Sequence, residues 1–260
     1  MKILNLIALI IAMMSGVSSF AQDSTLTTAP KLGEAAKPSN WAASYFNYIN
    51  GPALAEPTNG MSINHYIGLK YKFESKWAAS LTLRPDSNFE NGEEQYVAAD
   101  PYVRIEYPTL FEAKSGLKIT GNLNYFAPVS DASKENKLEG SVAPRFLIAQ
   151  DIGNWSLSYL LIPRAYFYSE KSDGQTTFSH GHYLAAAYNL SDFATIEGGI
   201  YPAWSEKRNE RTVFNDLLAY PGMTFNFTKK FSFSPYVEIP LMKAEQKNAF
   251  VGASVSYKLL

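Results

Sequence analysis

Lys230-Phe-Ser-Phe-Ser-Pro-Tyr-Val-Glu-Ile-Pro-Leu241 decides the fold. Phe231, Phe233, Pro235, Val237, Ile239 and Leu241 alternate there with Ser232, Ser234, Tyr236, Glu238 and Pro240. A period of two puts successive side chains on opposite faces of an extended strand, so this strand has one apolar and one polar face. Residues 97–107 repeat the pattern, with Val97, Ala99, Pro101, Val103, Ile105 and Tyr107 against Ala98, Asp100, Tyr102, Arg104 and Glu106. In residues 63–73, Ile63, His65, Ile67, Leu69, Tyr71 and Phe73 alternate with Asn64, Tyr66, Gly68, Lys70 and Lys72.

Extended outward, this reading gives twelve strand segments: 40–49, 62–73, 77–84, 96–107, 117–127, 139–150, 155–168, 180–190, 193–203, 213–227, 231–241 and 248–259. The short connections are 74–76, 151–154, 191–192 and 228–230, with 108–116 somewhat longer. Long polar ones cover 50–61, 85–95, 128–138, 169–179, 204–212 and 242–247. Strands of about ten residues joined by short turns on one side and longer loops on the other are the signature of a transmembrane β-barrel. Backbone groups in lipid must all be paired, so such a sheet must close, and an even strand count brings both ends to the same side. Phe73, Trp77, Tyr107, Trp155, Phe227, Phe231 and Tyr257 sit at the short-turn ends, as an interfacial girdle requires.

Composition agrees. Of 260 residues, 46% are hydrophobic, 14% aromatic and only 18% charged, against a usual ~25% charged. A soluble β-sandwich would also alternate, but would expose more charge. A formal net charge of -1 leaves no basic face for nucleic-acid phosphates. The absence of cysteine removes disulfides, thiolate nucleophiles and Cys-zinc sites together. Lys2, an apolar run over 3–14 and Ser19-Phe20-Ala21 read as a secretory signal peptide over 1–21. Residues 22–39 then form a flexible periplasmic lead-in with Pro30 and Pro38, and 40–260 form the barrel.

On these residues the chain resembles Gram-negative outer-membrane β-barrel proteins from Trp41 to Leu260. The last segment, Val251-Gly-Ala-Ser-Val-Ser-Tyr257-Lys-Leu-Leu260, is similar to the C-terminal insertion signal of such barrels. Leu260 stands where that signal usually has Phe, and Tyr257 lies one residue off its register. The resemblance implies a bacterial outer-membrane location. It implies lipid and lipopolysaccharide as surroundings, and insertion machinery that reads the last strand. The size is similar to that of small twelve-stranded, arginine-lined porins for acidic oligosaccharides.

Proline conflicts with this scheme. Pro101, Pro144, Pro163, Pro202, Pro221 and Pro235 fall on the apolar phase. Proline cannot donate to a ladder and normally needs an edge or a bulge, while a closed barrel has no edge. Local bulges or kinks are therefore expected at these strands.

The polar phase faces the lumen of a barrel. It carries Lys70, Lys72, Arg84, Arg104, Lys118, Arg145, Arg164 and Lys258, a slight excess over Asp100, Glu106, Glu139, Glu197, Asp216 and Glu238. Tyr102, Tyr166, Tyr201 and Tyr236 share that face. Arg104, Arg145 and Arg164 lie away from the rims and are expected to oppose Glu106, Glu197 and Glu238. Opposed rings of charge set ion preference, so the expected function is passive diffusion of ions or small, anionic solutes. The competing reading is a lumen filled by paired charges, in a structural or surface-interaction barrel, since barrels of about eight strands are packed solid.

Some twelve-stranded barrels are lipid hydrolases, which place a nucleophilic Ser two residues after a His. His65, His180 and His182 lack that pattern, and Ser179 beside His180 points to the opposite face. No enzyme is expected. His180-Gly-His182 places two imidazoles on one face at a strand end, but without a third ligand it is assigned no metal. Asp86, Glu90, Glu93 and Glu94 lack calcium-loop spacing and read as an acidic external loop. Residues 206–211, rich in both charges, read as lipopolysaccharide-facing surface. No cofactor is implied.

Overall fold

A computed structural model of the chain describes residues 40–52, 60–90, 93–243 and 249–258. The expected signal peptide, the lead-in before residue 40 and the terminal Leu260 lie outside the described residues. The described chain is nearly all antiparallel strand. Its elements are β1 (Trp41–Pro52), β2 (Met61–Lys72), β3 (Ala78–Glu90), β4 (Glu93–Glu112), β5 (Lys118–Phe126), α1 (Asp131–Glu135) and β6 (Leu138–Ile152). They continue with β7 (Trp155–Tyr168), β8 (Thr176–Asn189), β9 (Ala194–Lys207), β10 (Val213–Ala219), β11 (Gly222–Asn226), β12 (Phe231–Pro240) and β13 (Phe250–Lys258). Sequential strands pair throughout, and β1 pairs with β13 to close the sheet. β10 and β11 are two halves of one strand, since both pair with β9 and with β12, so the barrel has twelve strands.

The break between those halves falls at Tyr220-Pro221. Tyr220 still exchanges both backbone hydrogen bonds with Gly199, and the Pro221 carbonyl accepts from Val237 N. The other in-phase prolines follow one rule. Pro101 faces the register shift between Thr82 and Arg84. Pro144 and Pro163 sit in a lapse of the β6–β7 ladder between Val142↔Ala165 and Phe146↔Leu161. Pro202 lies in the lapse between Gly181↔Ala203 and Leu184↔Ile200, and Pro235 in that between Gly222↔Tyr236 and Phe225↔Phe233. An antiparallel residue turns its N–H and C=O toward one neighbour only. A proline therefore interrupts one seam and stays registered on the other: Pro144 with Leu123, Pro163 with His180, Pro202 with Leu217 and Pro235 with Ala253. That is how the wall closes without an edge.

Three connections differ from the sequence reading. Residues 85–95 do not form a long loop: β3 and β4 stay paired out to Glu90↔Glu93, with Asp86 opposite Val97 and Glu94 opposite Phe89. Polar residues on both faces there mark a hairpin that continues into water, not the end of pairing. β4 likewise runs to Glu112 through a register shift between Tyr107 and Phe111, so the turn near 108–116 is short like its neighbours. Residues 128–138 contain a helical turn, α1, whose N-cap Ser130 accepts a hydrogen bond from Ser133 N.

The distribution of side chains is inverted relative to a water-soluble protein. Ile67, Leu69, Leu81, Leu83, Val103, Ile105, Leu123, Leu184, Ile196 and Ile200 are exposed on the outer face. Thr82, Arg104, Asn124, Ser141, Thr224, Ser232, Ser234 and Ser254 are buried on the inner face. Aromatic pairs gird the short-turn rim: Trp77 with Tyr107, Trp155 with Tyr188, and Phe227 with Phe231. No described helix is long and apolar enough to cross a membrane; the crossing is made by strands.

Candidate functional site

The lumen divides into an outer vestibule lined by guanidinium groups and a packed belt beneath it. β3, β4, β6 and β7 are contiguous or nearly so, and each turns one arginine inward: Arg84, Arg104, Arg145 and Arg164. Three of these lie on aromatic faces. Arg84 sits 5.2 Å from the Tyr66 ring centre, Arg104 5.2 Å from Tyr102, and Arg164 4.1 Å from Phe126 and 4.8 Å from Tyr166. Stacking on a ring fixes a guanidinium while leaving its edge free to bind.

Arg84, Arg104 and Arg164 are further positioned from the wall. Arg164 Nε donates to Ser141 Oγ at 2.8 Å, and Tyr166 Oη bonds Ser179 Oγ. Arg104 Nε donates to Asn124 Oδ1 at 2.7 Å and its Nη2 to Tyr102 Oη. Asn124, fully buried, donates in turn to Asn122 Oδ1 and the Ala143 carbonyl. Arg84 Nη1 reaches the Asp100 carbonyl, and its buried Nε has no protein partner. Arg145 is half-buried. Arg104 itself is 4% exposed, so it is packed against the inner wall and not open to the vestibule.

Two of the acids, Glu106 and Asp100, are committed to local partners. Glu106 does not oppose Arg104: both are on β4, and Glu106 is ion-paired with Lys70 across the small residues Ala78 and Ser80 of β3. Asp100 turns to the loop after β5. Its carboxylate accepts from Val129 N at 3.0 Å, Ser130 N at 2.8 Å and Ser133 Oγ at 2.5 Å, which holds α1 against the inner wall of the mouth. Glu197, Asp216 and Glu238 lie on β9, β10 and β12, the arc across from β3–β7. Glu197 accepts from Thr224 Oγ1 at 2.6 Å, and Thr224 is also bonded to Ser234 Oγ. Asp216 is exposed at the mouth, while Lys72 and Lys258 are exposed at the opposite rim and Lys118 is half-buried near it. Glu139 is exposed beside a register shift, where its carbonyl accepts from outward-facing Tyr125.

The belt was largely missed from sequence. Tyr183, Tyr220 and Tyr236 form one buried cluster with Leu147, Ala149 and Leu160, flanked by Tyr48, Tyr201 and Leu218. It runs from β6 around to β1. Tyr220 joins Tyr183 and Tyr236 at ring separations of 6.1 and 6.4 Å, and Tyr236 meets Tyr48 at 5.1 Å. The phase of two places each inward, but only the curvature of the closed sheet brings them together. Inward glycines make the room. A Cβ on Gly199 would stand 2.7 Å from the Tyr183 ring, and one on Gly181 2.1 Å from the Tyr201 hydroxyl.

The histidines face outward. His65 Nδ1 bonds Tyr45 Oη at 2.7 Å, His182 Nδ1 bonds Tyr159 Oη at 2.6 Å, and His180 bonds His182. His180 and His182 stand partly exposed beside Trp204 on the outer wall.

A closed, twelve-stranded barrel with an apolar exterior and polar interior defines a bacterial outer-membrane β-barrel protein. Among solved structures, one at a TM-score of 0.58 shares the fold. The COG4313 outer membrane channel from Pseudomonas putida F1 matches 89% of this chain and 100% of its own, at 12% identity and a TM-score of 0.58. A KdgM porin matches 82% of this chain and 98% of its own, at 13% identity and a TM-score of 0.48. The Pseudomonas putida toluene transporter TodX matches 95% and 96%, at 8% identity and a TM-score of 0.46. No protein-family model and no curated protein matches the chain.

Proposed function

We propose that the protein is a narrow outer-membrane diffusion channel that prefers small anionic solutes. One observation carries this reading: Arg84, Arg145 and Arg164 gather on one inner arc, where Asp86 lies beside Arg84 and Asp100 is occupied by the α1 loop. Glu197, Asp216 and Glu238 face them from the other arc, so the charge is divided across the lumen. A divided lumen with low-dielectric walls selects by charge. The outward, tyrosine-paired histidines support a non-enzymatic role, since none of the three described histidines faces the lumen.

Refolded protein in planar bilayers under a salt gradient tests the proposal. A small unitary conductance with a reversal potential on the anion side is expected. A cation-side potential overturns the preference.

The belt favours a second reading, a sealed structural barrel. Tyr236 is 0% and Tyr183 2% exposed, which leaves no water beside them. Absence of any discrete conductance across a range of salts decides for this reading.

A further inference from the structure

The channel reading makes no use of the paired imidazoles on the outer wall, although His180-Gly-His182 is the one metal-like spacing in the sequence. Their geometry is specific. His180 Nδ1 and His182 Nε2 stand 2.9 Å apart, with ring planes at 85°. Two nitrogens bound cis to a square-planar ion at about 2.0–2.1 Å are separated by about the same distance.

Both rings are held by their surroundings. His180 stacks on Trp204 of β9 at 5.0 Å and 12°. His182 is fixed by Tyr159 of β7, whose oxygen meets its Nδ1. With Nδ1–H directed to that oxygen, the Nε2 lone pair points at His180, the tautomer a metal-ligating histidine needs. On the inner side Tyr201 lies against Gly181, so the strand between the two imidazoles is packed from behind. Phe214, 4.9 Å from Trp204, extends the aromatic surround near the loop ends of β9 and β10. His180 and His182 lie in the loop-side half of β8 and are only partly buried, which leaves room for water to complete a cation's shell. Among the described residues no group of three or more His, Asp or Glu is assembled for a metal, so the protein supplies two nitrogens.

We infer that His180 and His182 form a two-imidazole chelate for a square-planar divalent cation of the Cu2+ or Ni2+ class. Imidazole pairs suit these ions, and tetragonal geometry distinguishes them from the octahedral oxygen sites of Mg2+ or Ca2+. Binding requires the proton between the two rings to move to His180 Nε2, after which both facing nitrogens coordinate. No net proton is released by that shift.

The test uses the whole refolded chain in detergent, titrated with Cu2+ by calorimetry and electron paramagnetic resonance. One ion per barrel is expected, with nitrogen couplings from two imidazoles. His182→Gln should weaken binding more than tenfold. Tyr159→Phe removes only the orienting oxygen and should weaken it about tenfold. His65→Gln should leave it unchanged. Each variant is first shown to be a folded barrel by its heat-dependent gel mobility. Undiminished binding in the His180→Gln/His182→Gln double variant, or none in the natural chain, overturns the inference. Neither result bears on conductance, so this site and the channel reading fail separately.

Discussion

The ring of Tyr236 lies flat against Gly252 on the adjacent strand, so close that a Cβ on Gly252 would stand 2.2 Å from Tyr236 Cζ. The contact lets a bulky residue lie along the lumen wall. It also links β12 to β13 where the Pro235 seam has lost backbone bonds on the other side. Gly252→Val should destabilise the barrel by about 1–3 kcal/mol through overpacking. Urea unfolding followed by tryptophan fluorescence measures it. Combining it with Tyr236→Ala removes the clash, so the two penalties should add to less than their sum.

Asp100 is the anchor of the α1 loop. Hydrogen bonds to a charged group are worth about 1.5–3 kcal/mol each. Asp100→Ala should therefore free residues 127–137 and speed trypsin cleavage at Lys134 or Lys137 by at least about tenfold, by the same energies. Unit conductance should rise with it. Unchanged cleavage would show that the helix is held by something else.

Arg164 projects from a stack between Phe126 and Tyr166. Arg164→Glu should move the reversal potential toward cations, and adding Arg84→Glu should move it further. Arg164→Lys keeps the charge but loses the planar stack, so selectivity should survive while the conductance becomes noisier. A reversal potential indifferent to all three removes this arc from the filter.

Thr224 links Glu197 on β9 to Ser234 on β12 across the broken strand. Thr224→Val leaves a partly buried carboxylate short of a donor, at about 1–3 kcal/mol. Its unfolding midpoint should fall, whereas that of Thr224→Ser should stay near the natural value. Equal midpoints for the two variants would show that the hydroxyl does not brace this seam.

How far the sequence is legible varies from element to element. The phase of Phe231, Phe233 and Val237 against Ser232 and Ser234 is legible directly, because side-chain alternation is a local property of an extended chain, but the bulge between Thr82 and Arg84 brings Val97 and Ala99 opposite the inward Asp86 and Arg84. The prolines are legible as interruptions, but not the rule that each disturbs a single seam, which depends on where its neighbours end. The hairpin beyond Arg84 is not legible as strand in the sequence, because its polarity on both faces resembles that of a connection.

Strand number, closure and the aromatic rim thus follow from sequence alone, since each is encoded within about ten consecutive residues. Which charges meet does not. Glu106 with Lys70, Asp100 with Ser133, and Tyr183 with Tyr220 are joined across neighbouring strands or a loop folded back into the mouth. Those partnerships depend on register and curvature, which arise only when the sheet closes. Sequence therefore determines which side of the wall a residue occupies; tertiary structure decides what it touches there.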